Sequence, residues 1–219
     1  GGASGCVETG CHGREAYVLT GYLNVPKILE LTLNNGFDKY TNKQIGIKTG
    51  NPEDFGSYEE LFNAFVKQLK YIIEVKIRGN NVIERIFAEH MPSTFMSVLT
   101  DGCKEKGKDY NAGGSKYNTR YIQVVGIATI TDCLSSIKHN VFDNKRFTMG
   151  EMLKALELNY NGYAHIRNLV LNHTPKYGND DDYADDIMLD IFTTVRELIR
   201  ERKTVCGGTY QIDMLPTTC

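Results

Sequence analysis

The chain has 219 residues, 25 Lys and Arg against 27 Asp and Glu, a formal charge of −2, and 41% hydrophobic side chains. That is enough chain for a sizeable core, and it excludes a stapled mini-protein or a disordered segment. The near-neutral charge argues against nucleic acid, whose binding needs a basic surplus to neutralise many phosphates, and no apolar run approaches the ~20 residues of a membrane span.

The sequence opens on Gly-Gly-Ala-Ser-Gly-Cys, with neither an initiator Met nor a basic region followed by an apolar one, so it reads as a soluble cytoplasmic piece of a longer protein. Residues 1–13 hold five of the 21 glycines and no helical or strand period, which predicts a loop with special backbone demands. From Tyr17 the pattern turns apolar up to Pro26, predicting an extended segment and then a short helix that ends at Asn34-Asn35-Gly36. Ser57 with Glu60 three residues on is a capping box. It opens a helix whose stripe of Tyr58, Leu61, Phe62, Phe65, Leu69, Ile72 and Ile73 faces a core. This helix is expected to run toward His90, with Gly79-Asn80-Asn81 as a point of interruption and Met91-Pro92 as its end.

Asp101 to Thr119 reads as a polar, glycine-bearing stretch, with Asn111 to Gly114 a buried turn that lacks the Lys-Ser or Lys-Thr of a phosphate loop. Helices are then expected over Gln123–Ile137, from the Thr148/Glu151 capping box to about Val170, and from the Asp180–Asp186 cluster onward. That cluster reads as acids favoured by a helix N-terminus rather than as a cation site. No repeat or linker marks a domain boundary. The six cysteines are too sparse for a disulfide scaffold and read as reduced thiols. Cys11 and His12 read as packing residues or as supports for neighbouring functional groups rather than as ligands, because no second half-site follows at zinc-binding spacing; no metal is expected.

The chemistry centres on Ser4-Gly5-Cys6-Val7-Glu8-Thr9-Gly10. Two residues apart in an extended stretch, Cys6 and Glu8 address one side and can act on one ligand together. Such a pair suits either a nucleophilic thiolate with a base or a thiol that exchanges a hydrogen atom while the carboxylate handles a proton. The second fits better, since a nearby carboxylate raises a thiol's pKa and disfavours the thiolate.

Gly5-Cys6-Val7-Glu8 resembles the thiyl-radical finger loop of the glycyl radical enzymes, in the branch that holds dehydratases and a choline lyase. The resemblance extends through Glu15 to Tyr22, Asp109 to Gly114 and Thr174 to Asp182, and so covers the chain. It implies an α/β fold, an incomplete part of a ten-stranded barrel, with the C-terminal glycine radical domain absent. No Arg-Val-x-Gly-Tyr or Phe string occurs, and Gly207-Gly208 lacks that context. It further implies that Cys6 carries the thiyl radical, that Glu8 is the general base, and that Tyr22 and Thr217 line the substrate pocket. The radical would sit on a glycine outside these residues, installed by an activating enzyme that uses S-adenosylmethionine and a [4Fe-4S] cluster, in a homodimer.

The reaction so implied is C–O cleavage of a small hydroxylated substrate, first of all trans-4-hydroxy-L-proline to 1-pyrroline-5-carboxylate. Dehydration of glycerol or 1,2-propanediol and cleavage of choline are the alternatives within the family. The fragment alone would be inactive. Outside the family, Cys6 with His12 could form a cysteine hydrolase dyad, or the segment could be a non-catalytic interaction piece.

Overall fold

The computed structural model describes the backbone of residues 2–4 and 8–214 and, within these, every side chain except those of Ala3, Ser4 and Glu8. In chain order the elements are β1 (Gly2–Ser4), β2 (Glu8–Gly10), β3 (Glu15–Asn24), α1 (Val25–Leu33), β4 (Phe37–Asp38), β5 (Lys43–Gln44) and α2 (Tyr58–His90). There follow α3 (Thr94–Leu99), α4 (Cys103–Lys106), β6 (Tyr117–Val125), α5 (Ile127–Ile137), α6 (Met149–Glu157), α7 (Ala164–Asn172), α8 (Asp182–Ile199) and β7 (Thr209–Met214). The fold is mixed α/β, as expected. Its main sheet has the order β3-β6-β7, with β6 and β7 parallel in the register Thr119↔Thr209 to Val124↔Met214.

The chain divides into two compact units. A sheet unit takes the described residues of Gly1–Leu23, Ile73–Val125 and Arg196–Leu215; a helical unit takes those of Asn24–Ile72, Gly126–Val195 and Pro216–Cys219. Both α2 and α8 contribute residues to each.

In the helical unit local signals set the element ends. The Asn24 side chain accepts from the Lys27 amide at 3.0 Å and Pro26 sits in the first turn of α1, where its missing N–H costs nothing. Glu60 N–H donates to Ser57 Oγ at 3.3 Å at the start of α2, while the Glu60 carboxylate reaches back to the Gly56 amide at 2.8 Å. Thr148 and Glu151 close the expected capping box on α6 through bonds of 3.2 and 2.7 Å. Asp181 accepts from the Tyr183 amide at 3.0 Å at the head of α8, so the acidic cluster serves there as a cap. The core of this unit takes Leu61, Phe65 and Leu69 from α2, Ile130 and Leu134 from α5, and Ile187 and Ile191 from α8.

Three of the expected helices depart from the sequence pattern, and the stretch 1–13 read as a loop contains the short strands β1 and β2. The segment from Gln123 is the end of strand β6, and the helix starts only at Ile127, after Gly126 turns the chain at φ 82°. The helix expected from Thr148 to about Val170 breaks at 158–163, where Asn159, Tyr160 and Gly162 adopt positive φ, and resumes as α7. Gly79 does not interrupt α2; it lies in the body of the helix with open space beside its Cα.

Candidate active site

The glycine-rich start of the chain contains more order than its composition suggests. β1 and β2 pair antiparallel in the register Gly2↔Gly10, Ala3↔Thr9 and Ser4↔Glu8. Cys6 is the sequence midpoint of that register. Cys6 itself lies outside the described residues, and so does Thr217; Glu8 is placed by its backbone, in β2. Tyr22 projects from β3 with 62% of its surface exposed.

The base of the paired strands is held from both sides. A Cβ on Gly10 would overlap the Tyr17 ring, and a Cβ on Gly2 would overlap the His12 imidazole, so a larger residue at either position would displace a ring. The Tyr17 hydroxyl and His12 Nδ1 share a hydrogen bond of 2.9 Å, with the rings edge-on and their centroids 6.1 Å apart. From β6 the Tyr121 hydroxyl donates to the Thr9 carbonyl at 2.7 Å. The following turn is tied down as well. Glu15 accepts from the Cys11 amide at 3.0 Å and from the Thr119 hydroxyl, and the Gly13 carbonyl accepts from the Asp101 amide at 2.7 Å. The sequence reading leaves His12 as a packing or supporting group and does not single out Tyr17 or Tyr121. The available signal was the placement of Gly2 and Gly10, each four residues from Cys6.

Strand β6 of the main sheet and helix α2 share a buried ion pair. Arg120 Nε meets Glu84 Oε1 at 2.6 Å, and both residues are almost fully buried. Glu84 Oε2 also accepts from the Val205 amide at 2.9 Å, and an Arg120 guanidinium N–H donates to the Ala16 carbonyl at 3.0 Å. The pair thus joins α2, β6, the start of β3 and the loop before β7. It lines a cavity of about 230 Å³ whose walls include Val18, Leu19, Ile83 and Phe87; Tyr22, the one expected site residue whose side chain is described, is not among its described walls. Burial, then the Glu84 charge, pushes the nearby Cys206 thiol up to about 11. Lys76 donates to the Thr20 carbonyl at 3.3 Å, and burial lowers its pKa.

Among the described residues no group of three or more His, Cys, Asp or Glu side chains is arranged to hold a metal ion, and Cys11, Cys103, Cys133 and Cys206 are free thiols. No helix of the described chain is long and apolar enough to cross a membrane.

The described residues combine a sheet that holds a parallel strand pair with helices, and the sequence carries Cys-x-Glu where β1 gives way to β2. A family model described as pyruvate formate lyase-like matches residues 1–219, and the chain belongs to that family. It is 66% identical over its whole length to trans-4-hydroxy-L-proline dehydratase of Clostridioides difficile, and covers 28% of that protein. The crystal structure of hydroxyproline dehydratase from the same organism, with trans-4-hydroxy-L-proline bound, superposes with a TM-score of 0.96 at 65% identity. That match covers 98% of this chain and 27% of that one. Identity to (2S)-3-sulfopropanediol dehydratase of Klebsiella oxytoca is 36% over 208 residues, 94% of this chain and 25% of that protein. The chain therefore spans about a quarter of the length of these relatives.

Proposed function

We propose that the enzyme containing this chain removes water from trans-4-hydroxy-L-proline to give 1-pyrroline-5-carboxylate, with Cys6 as the hydrogen-atom carrier and Glu8 as the base. The similarity to hydroxyproline dehydratase supports the substrate. The observation that carries the chemistry is the antiparallel register Ser4↔Glu8, which sets the two flanks of Cys6 side by side and puts the backbone of Glu8 on the same hairpin. In sequence Cys6 lies two residues from Glu8, so a thiol and a carboxylate stand close together along the chain for work on one bound molecule.

A glycyl radical outside these residues supplies the unpaired electron, after an activating enzyme of the S-adenosylmethionine and [4Fe-4S] class has installed it; a homodimer belongs to the same reading. The Cys6 thiyl takes a hydrogen atom from the ring carbon beside nitrogen, forming S–H and leaving a carbon radical. Glu8 accepts a proton from this radical, and the adjacent C–O bond breaks. The proton that Glu8 has accepted is passed on, directly or through solvent, to the hydroxyl, which departs as water. The ring radical then takes the hydrogen atom back from Cys6, so the net change is loss of one water. Tyr22 and Thr217 are proposed to line the pocket, and the 62% exposure of Tyr22 leaves its ring free for that contact.

The test is the activated enzyme offered trans-4-hydroxy-L-proline, 1,2-propanediol, glycerol and choline in turn. The expected result is 1-pyrroline-5-carboxylate from the first and little product from the others. An aldehyde from a diol, with hydroxyproline untouched, would replace this substrate with a diol.

A further inference from the structure

We propose that Tyr17, His12 and Tyr121 are positioning residues for the radical step, acting as a clamp on the strands that flank Cys6. The inference rests on the reading of Cys6 given above.

Three observations converge on it. Gly2 and Gly10 are register partners, and each is covered by one member of a hydrogen-bonded ring pair, so the Tyr17–His12 bond spans both strands at the level where they enter the fold. Tyr121 adds a tie of 2.7 Å from the central strand of the sheet to the carbonyl of Thr9, the residue next to Glu8. The turn that leaves the hairpin is fixed at Gly13 and Glu15, so the rings work against a stationary base. Three-residue strands have little pairing strength of their own. The direction in which they carry a side chain is then set by what grips their base. Hydrogen-atom transfer is sensitive to the distance between donor and acceptor, and a misplacement of about 1 Å costs on the order of a hundredfold in rate. Residues that never touch the substrate thereby govern the rate of abstraction.

The experiment uses the activated enzyme with Tyr121→Phe and, separately, Tyr17→Phe; each keeps its ring and removes one hydroxyl. Turnover is normalised to glycyl radical spins counted by electron paramagnetic resonance. Substrate deuterated at the carbon beside nitrogen reports how far abstraction limits the rate. A second readout needs no substrate. In D2O the Cys6 thiol carries deuterium, so reversible transfer between Cys6 and the glycyl radical replaces the glycine's α-hydrogen and collapses its doublet. The expected result for each variant is a kcat about tenfold lower, KM within about twofold, an enlarged isotope effect and slower collapse of the doublet. Wild-type kcat per spin, isotope effect and exchange rate in both variants would overturn the clamp. So would a loss confined to KM or to the spin count. If wild type exchanges deuterium yet leaves hydroxyproline unchanged, the substrate assignment fails, and the exchange rates alone decide the clamp.

Discussion

In the helical unit several buried polar groups find partners four residues away, and the longer ties, such as Ser135 to Pro175, Asn140 to Thr174 and Asp132 to Tyr177, reach no more than 45 residues along the chain. The Thr32 and Thr131 hydroxyls each donate at 2.8 Å to a carbonyl four residues back, and the Asn140 amide donates to Ser136 at 2.9 Å in the same way. In the sheet unit the reach is different. Glu84 to Val205, Arg120 to Ala16, Tyr210 to Asn81 and Tyr121 to Thr9 all join residues more than 100 apart in the chain. Contacts of the first kind form as a helix forms, whereas contacts of the second kind exist only once the unit is assembled. The sheet unit therefore concentrates its stability and the placement of its hairpin in a few remote pairs, while the helical unit distributes them over caps and apolar stripes.

The largest test of this contrast is Arg120→Ala, which strands the Glu84 carboxylate in the interior. We expect a loss of about 3–5 kcal/mol in urea unfolding, with faster hydrogen exchange in β6 and β7 and unchanged protection in α6 and α7. Tyr210→Phe removes the buried hydroxyl that donates to Asn81 at 2.9 Å and should cost about 1–2 kcal/mol by the same measurement. Thr148→Ala deletes a cap in the helical unit and should cost about 1 kcal/mol, with faster exchange confined to the first turn of α6. A larger loss from Thr148→Ala than from Arg120→Ala would reverse the comparison. The smallest effect concerns reactivity. With its thiol pushed up to about 11, Cys206 stays protonated at neutral pH, so its alkylation, followed by mass spectrometry, should be slow at pH 8 and keep rising toward pH 11. A rate that levels off near pH 8.5 would show an unperturbed thiol.

The same contrast explains what could be read from the residues alone. The helix starts at Pro26, Ser57, Thr148 and Asp181 were legible because a cap is a matter of neighbours at spacings of one to three. The stripe from Tyr58 to Ile73 was legible for the same reason. Strand β6 was not. Its apolar end runs into the apolar start of α5, and only the positive φ of Gly126 separates the two periods. Cys6 and Glu8 stood out through their spacing and their likeness to a family loop. The grip on that loop stayed hidden, because Tyr121 lies 112 residues from Thr9 and nothing in the local pattern pairs them.

The central claim, that Cys6 carries the radical to the substrate, is tested most directly by Cys6→Ser in the activated enzyme. Spins and product are to be measured on the same sample. The account predicts a glycyl radical doublet at the wild-type level and no 1-pyrroline-5-carboxylate from trans-4-hydroxy-L-proline. Product formed at a rate near wild type would contradict it.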